Sequence, residues 1–288
     1  MELKLGVMPV LGGTGAADPA GTARFVRLLE DLGCESVWAV EHVVVPDDYT
    51  SAYPYDPGGR MNLGAGDDIP DPLHWLTFAA AHTTRLRLGT AMLILPEHHP
   101  VDLAKRLATV DVLSGGRLLA GIGVGWLREE YDAVGVPFEQ RGARADEYLE
   151  AMRALWTQAP ATYTGRFVHF RDVHSRPRPT RPGGVPIVVG GHSMAAVRRA
   201  ARYGSGWYPL GVTGTRFADL RAALADECAA AGRSLDDIEI TMRGPGNVGD
   251  LETLRSLGVS RVVIRADPND PVGVRDKIRR YQREVLRV

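Results

Sequence analysis

Residues 36–42 read SVWAVEH, an apolar run that ends in a carboxylate and an imidazole, Glu41 and His42. A histidine beside a carboxylate can move a proton or steady charge on a bound ring. The same two groups can equally sit in a core, His42 bonded to a backbone carbonyl and Glu41 to an arginine. A second stretch, GIGVGW, alternates Gly121, Gly123 and Gly125 before Trp126. Glycines spaced by two share one face of a strand and admit another body close to the backbone. That body is either a ligand, for which Gly123 and Gly125 are the cofactor-binding candidates, or a neighbour in a crowded interior. A third stretch, VVGGHS, places Gly190, Gly191 and His192 before Ser193 at the start of a helical pattern. Amides at a helix N-terminus favour an anion such as phosphate. The plainer reading is a turn with Ser193 as its helix cap.

Other chemistries lack their residues. No GxGxxG precedes an acidic residue at dinucleotide-site spacing, and no GxSxG elbow occurs. His98 and His99 are adjacent and point apart, and His169 and His174 flank a hairpin. A His42–His74 pair has no supporting carboxylate cluster, so no metal is expected.

The surrounding pattern must position these groups. The chain has 288 residues, 34 basic and 35 acidic, for a net charge of -1. That balance suggests neither a nucleic-acid nor a membrane partner. Cys34 and Cys228 lie far apart without metal spacing and are expected to be free thiols in a reducing compartment. The N-terminus runs straight into LKLGVMPV with no charged-then-apolar leader. No apolar run approaches a membrane span. A soluble, cytoplasmic α/β protein is expected.

Periodicity predicts strands over 3–10, 36–42, 86–95, 118–125, 185–191, 206–211, 238–244 and 260–266. Helices are predicted over 18–33, 71–84, 99–113, 141–156, 193–204, 214–232, 248–257 and 273–287. Repeated strand–helix units imply a closed (β/α)8 TIM barrel, one domain over 1–288. It carries a long loop over 46–71 after the second strand and a small hairpin around Gly165 after the fourth helix. In such a barrel, function gathers at the C-terminal strand ends. Met8, Trp126 and Trp207 fall at such ends, and the loop brings Tyr49, Tyr53 and Tyr55. A long loop of this kind suits a lid. The expected substrate is a mid-sized, partly apolar organic molecule.

Four segments together carry a family resemblance: GCESVWAVEH, RLRLGTAMLILPEHHPVDLAKRLATVDVLSGGRL, GIGVGWLREEYDAVGVPFEQRGARADEYLEAMRALW and VPIVVGGHS. In order and spacing they resemble the luciferase-like flavin oxidoreductases, and within them the branch that uses the deazaflavin F420. The resemblance implies a barrel with F420 or reduced FMN lying across its mouth. His42 matches the histidine that faces the reactive ring, and Glu41 stands where F420-dependent members more often carry aspartate. A non-prolyl cis peptide behind the ring matches Ala91–Met92. Gly190, Gly191, His192 and Ser193 match the phosphate loop. Arg144 lies where some members place a phosphate-contacting arginine, or else pairs with Asp146 or Glu147. Trp126 replaces a glutamate that some F420 dehydrogenases use, which speaks against a sugar-phosphate dehydrogenase mechanism and for a pocket shaped by Trp126, Met8 and Trp207. The implied activity is F420-dependent hydride transfer at the deazaflavin C5. The alternatives are an FMN-dependent monooxygenase fed by a separate flavin reductase, and a non-catalytic flavin carrier. A homodimer is expected by analogy with family members.

Overall fold

The computed structural model describes residues 3–10, 17–64, 66–244 and 251–285. In chain order its strands are β1 (Lys4–Pro9), β2 (Ser36–Ala39), β3 (Arg87–Thr90), β4 (Leu93–Ile94), β5 (Leu118–Gly123), β6 (Ala161–Thr164), β7 (His169–Val173), β8 (Ile187–Gly190), β9 (Gly206–Tyr208), β10 (Glu239–Arg243) and β11 (Arg261–Ala266). The α-helices are α1 (Pro19–Asp31), α2 (Pro72–Ala81), α3 (Pro100–Leu113), α4 (Arg128–Ala133), α5 (Arg141–Thr157), α6 (Met194–Tyr203), α7 (Gly214–Ala230), α8 (Leu251–Ser256) and α9 (Pro271–Val285). β3 and β4 form one stave, so eight parallel staves run β3/β4–β2–β1–β11–β10–β9–β8–β5. Pairing of both β3 and β4 with β5 closes the barrel. β6 and β7 form a separate antiparallel hairpin. The expected TIM barrel is therefore the fold.

Local signals explain the starts of the helices. Asp18 accepts from the amides of Ala20 and Gly21 ahead of Pro19, and Asp71 accepts from His74 ahead of Pro72. The predicted helix positions 248–250 and 286–287 lie outside the described residues. Three of the differences from expectation bear on the site. β2 stops at Ala39, so Glu41 and His42 stand just beyond the stave. The third stave breaks where the Ala91–Met92 peptide bond is cis. The short helix α4 was not foreseen, because one and a half turns carry too little periodicity to register.

Strand alternation sorts the core into two shells. Val37 and Ala39 pack outward among the helices, while Trp38 points inward with Leu119, Val188, Tyr208 and Val263. An ionic plug closes the base. Arg261, at 0% exposure, reaches both oxygens of Glu35 at 2.7 Å and Glu239 at 2.9 Å. Lys4 also binds Glu239, and Arg87 reaches Glu35 at 3.3 Å. The cations hold Glu239 at a pKa of about 2 against the rise that burial alone would cause. Cys34 and Cys228 are buried free thiols. Among the described residues no helix is long and apolar enough to cross a membrane.

Candidate active site

The base is plugged, so the opening lies at the C-terminal strand ends. A cavity of about 290 Å³ sits there. Its wall includes Glu41, His42, Ala91, Met92, Gly123, Gly125, Gly190 and Gly191. Met8 and Trp126 line it too, and so do Tyr53 and Tyr55 of the long loop. A second cavity, bounded by Trp156, Arg181 and Tyr203, opens at the start of β8, away from these residues.

Glu41 and His42 do not pair with each other. His42 Nδ1 lies 3.0 Å from Glu130 Oε2. Glu130 Oε1 accepts from the amides of Val43 at 2.6 Å and Val44 at 3.4 Å. A carboxylate so bonded accepts from Nδ1–H, which leaves Nε2 as the nitrogen available to a ligand. Glu41 is 5% exposed, accepts from the Ile94 amide at 2.5 Å and lies 3.0 Å from His98 Nε2. It therefore braces the stave just past the cis bond. Glu97 completes a cluster with Glu41 and Glu130. Burial, followed by the charges of Glu130 and Glu41, pushes its pKa up to about 9.

At Gly121, Gly123, Gly125, Gly190 and Gly191 alike, an added Cβ would meet protein atoms, the packing use of the two considered. A Cβ on Gly121 would sit 1.8 Å from the Thr90 carbonyl oxygen, so that glycine serves strand packing. Cβ atoms on Gly123 and Gly190 would approach Met92 at 3.3 and 2.7 Å, so these glycines make room for the bulge after the cis bond. Gly125 and Gly191 take positive φ, +66° and +106°, where glycine is favoured. Together Gly123, Gly125, Gly190 and Gly191 present backbone to the cavity, a surface against which a flat ring can lie.

The phosphate loop differs in detail from the simple picture. The Gly191 amide already donates to the Tyr208 carbonyl, at 3.1 Å. Ser193 caps α6 by accepting from Ala196 at 3.2 Å, and His192 Nδ1 lies 2.9 Å from the Leu210 carbonyl. His192 and Ser193 stand outside the cavity wall, at the start of α6. Arg144 pairs with neither Asp146 nor Glu147. Asp146 binds Arg199 at 2.6 Å, and Glu147 accepts from the amides of 166–168. Arg144 stacks over Phe167 at 4.4 Å and does not line the cavity.

Trp207 is a correction. It points outward, fully buried, stacked on Phe217 at 6.0 Å and donating from Nε1 to the Gly191 carbonyl. Its neighbour Tyr208 faces the cavity instead, because adjacent strand residues face opposite sides. Trp126 stands at the rim against Tyr49 and Tyr53, with ring centroids 5.6 and 5.0 Å apart. Tyr49 itself is withdrawn and accepts from the Met61 amide.

Sequence reasoning missed Glu129 and Glu130. Glu129 binds the backbone and side chains of Thr50 and Ser51, and so ties the long loop to α4. The available signal was an acidic pair directly after a glycine-rich strand end, at the level of the mouth. It also missed Arg243, the last residue of β10, and Arg265, the last but one of β11, which both line the cavity. Among the described residues no group of three or more His, Cys, Asp or Glu side chains is arranged to hold a metal ion.

Residues 4–254 match the family described as luciferase-like monooxygenase. The uncharacterized protein Rv0953c of Mycobacterium tuberculosis is 38% identical over 219 residues, 75% of each chain. An F420-dependent glucose-6-phosphate dehydrogenase of Kineococcus radiotolerans is 30% identical over 78% of this chain and 63% of its own. An FMNH(2)-dependent dimethylsulfone monooxygenase of Pseudomonas putida is 29% identical over 73% of this chain and 58% of its own.

Proposed function

We propose, from the premise that the chain belongs to the luciferase-like monooxygenase family, that it is an F420-dependent oxidoreductase acting on an organic substrate. Members of this family are flavin- or deazaflavin-dependent oxidoreductases and monooxygenases, and the chain is an enzyme of that kind. The observation that carries the finer reading is His42, fixed by Glu130 on the cavity wall beside the cis Ala91–Met92 bulge. A wall that carries glycine backbone, Met92 and His42 suits a flat tricyclic ring.

In this reading the ring lies along the backbone of Gly123, Gly125, Gly190 and Gly191, which line the cavity, and Ala91 and Met92 back it. The start of α6, with His192 and Ser193, receives the phosphate through amides and helix dipole. Arg144, which stacks on Phe167 and donates to the Tyr148 hydroxyl, is given no contact with the cofactor. When bound, F420 supplies a two-electron hydride centre, chemistry that no side chain of the protein offers. His42 holds or releases a proton at Nε2 as charge on the ring changes, while Glu130 fixes its tautomer and orientation. Glu41 keeps the cis bulge in place. Met8, Trp126 and the loop tyrosines exclude water and enclose an apolar part of the substrate. Residues 1–288 act as one barrel domain, in the cytoplasm and as a homodimer.

FMN-dependent monooxygenation with a partner reductase is the second reading, favoured by the similarity to the Pseudomonas enzyme. Parallel titrations with F420 and FMN decide between them. Tight F420 and weak FMN binding is expected, with His42→Ala still binding F420 but losing roughly a hundredfold or more in hydride transfer. The reverse affinities would replace this reading with the monooxygenase.

A further inference from the structure

Arg243 ends β10, Arg265 is the last but one residue of the adjacent β11, and both line the cavity. On β11 the inward positions climb from Arg261 through Val263 to Arg265. Arg261, at the bottom, is buried and neutralised by Glu35 and Glu239. Arg243 and Arg265, at the top, are exposed. Among the described residues neither has a carboxylate within ion-pair distance. Of the cavity's carboxylates, Glu41 is bonded to Ile94 and His98. The open charge of the cavity is therefore positive.

Both guanidiniums reach the same region. Both line the same cavity wall as Tyr53 and Tyr208. An unpaired arginine in bulk water is ordinary. Two of them lining one concave, partly apolar space favour an anion bound between them. Guanidinium forks match carboxylate and phosphate oxygens two at a time. The position is also distinct from the start of α6, since β9 intervenes between β8 and β10.

We propose that Arg243 and Arg265 form an anion subsite for the substrate. The substrate class is an organic carboxylate or phosphate monoester whose apolar body lies along Met8, Tyr53 and Trp126. This inference rests on the redox reading of the cavity, with the cofactor against the glycine wall and the substrate on the opposite side.

The test uses two probes with the same aryl body, 8-anilinonaphthalene-1-sulfonate and neutral N-phenyl-1-naphthylamine. Each is titrated by fluorescence into the full-length wild type, R243Q/R265Q and the charge-keeping R243K/R265K. F420 and FMN affinities are measured on the same preparations. The wild type should prefer the anionic probe by roughly tenfold or more, the scale of one charge-assisted contact. R243Q/R265Q should lose that preference, keep the neutral probe and keep its cofactor affinity. R243K/R265K should recover much of the preference. Displacement of the sulfonate by phenyl phosphate or by benzoate then distinguishes the two substrate chemistries. Equal binding of both probes to the wild type, or a preference that survives in R243Q/R265Q, overturns the subsite. Cofactor affinity that falls with the arginines also overturns it, because they would then hold an anionic tail of the cofactor. A wild type that binds neither cofactor refutes the redox reading separately, whatever the probes report.

Discussion

Glu97 gives the most quantitative test of the site's electrostatics. Its Oε2 is buried without a hydrogen-bond partner, and Glu41 and Glu130 stand close by. Its pKa is raised from 4.5 to about 9, first by burial and then by those two carboxylates. At neutral pH the folded protein therefore keeps a proton on Glu97 that the unfolded chain releases. A raised pKa of this kind contributes stability that is fully present below about pH 4.5 and is lost as pH rises toward 9. The slope for one proton is about 1.4 kcal/mol per pH unit. Between pH 6 and 8 that amounts to about 2.7 kcal/mol at most. Part of the side chain still meets solvent, so screening reduces the expected change to about 1.5 kcal/mol. Glu97→Gln has no proton to lose. Urea unfolding of both proteins at pH 6, 7 and 8 should show the variant gaining on the wild type by that amount as pH rises. Other titrating groups are common to both and largely cancel in the difference. A wild-type-minus-variant difference that stays flat across the window would refute the reasoning, because Glu97 would then be ionised in the folded protein.

Three further perturbations address the frame around the site. Gly121→Ala drives a methyl group into the Thr90 carbonyl at 1.8 Å, against backbone that cannot yield. It should cost about 3 kcal/mol or more in chemical unfolding, and a loss under about 1 kcal/mol would mean the third stave is freer than its packing indicates. Arg261→Met removes the buried cation between Glu35 and Glu239 at the barrel base and leaves only the partly exposed Lys4 and Arg87 to offset them. A loss of about 3–5 kcal/mol at pH 7 is expected, and it should shrink at acid pH as those carboxyls gain protons. Glu129→Ala removes the contacts to Thr50 and Ser51. Limited proteolysis should then cut faster within 46–71 while global unfolding barely moves, and an unchanged cleavage rate would show that another contact holds the loop.

The barrel was legible because its signal repeats. Strand and helix periods alternate along the chain, and Asp-Pro openings mark α1 and α2 in the sequence. The cis position was legible only by resemblance, since nothing in Ala91 or Met92 themselves favours that bond. Strand parity was the weakest inference within the site. A short stave such as β9, three residues long, offers too few alternations to decide which aromatic faces inward. Trp207 was therefore expected where Tyr208 stands.

The partners of Glu41 and His42 could not be read from spacing at all. They come from His98 and Glu130, 57 and 88 residues away, and barrel closure alone brings them together. Adjacency in SVWAVEH suggested one catalytic pair, whereas the backbone sends the two side chains to opposite braces. Glu41 secures the stave that carries the cis bond, and His42 is secured by the helix that also anchors the loop. That division ties the loop mechanically to the proposed proton-handling group. Glu129 and Glu130 are neighbours on α4, one holding the loop and the other the imidazole. A displacement of α4 would therefore act on the loop contacts at Thr50 and Ser51 and on His42 Nδ1 together.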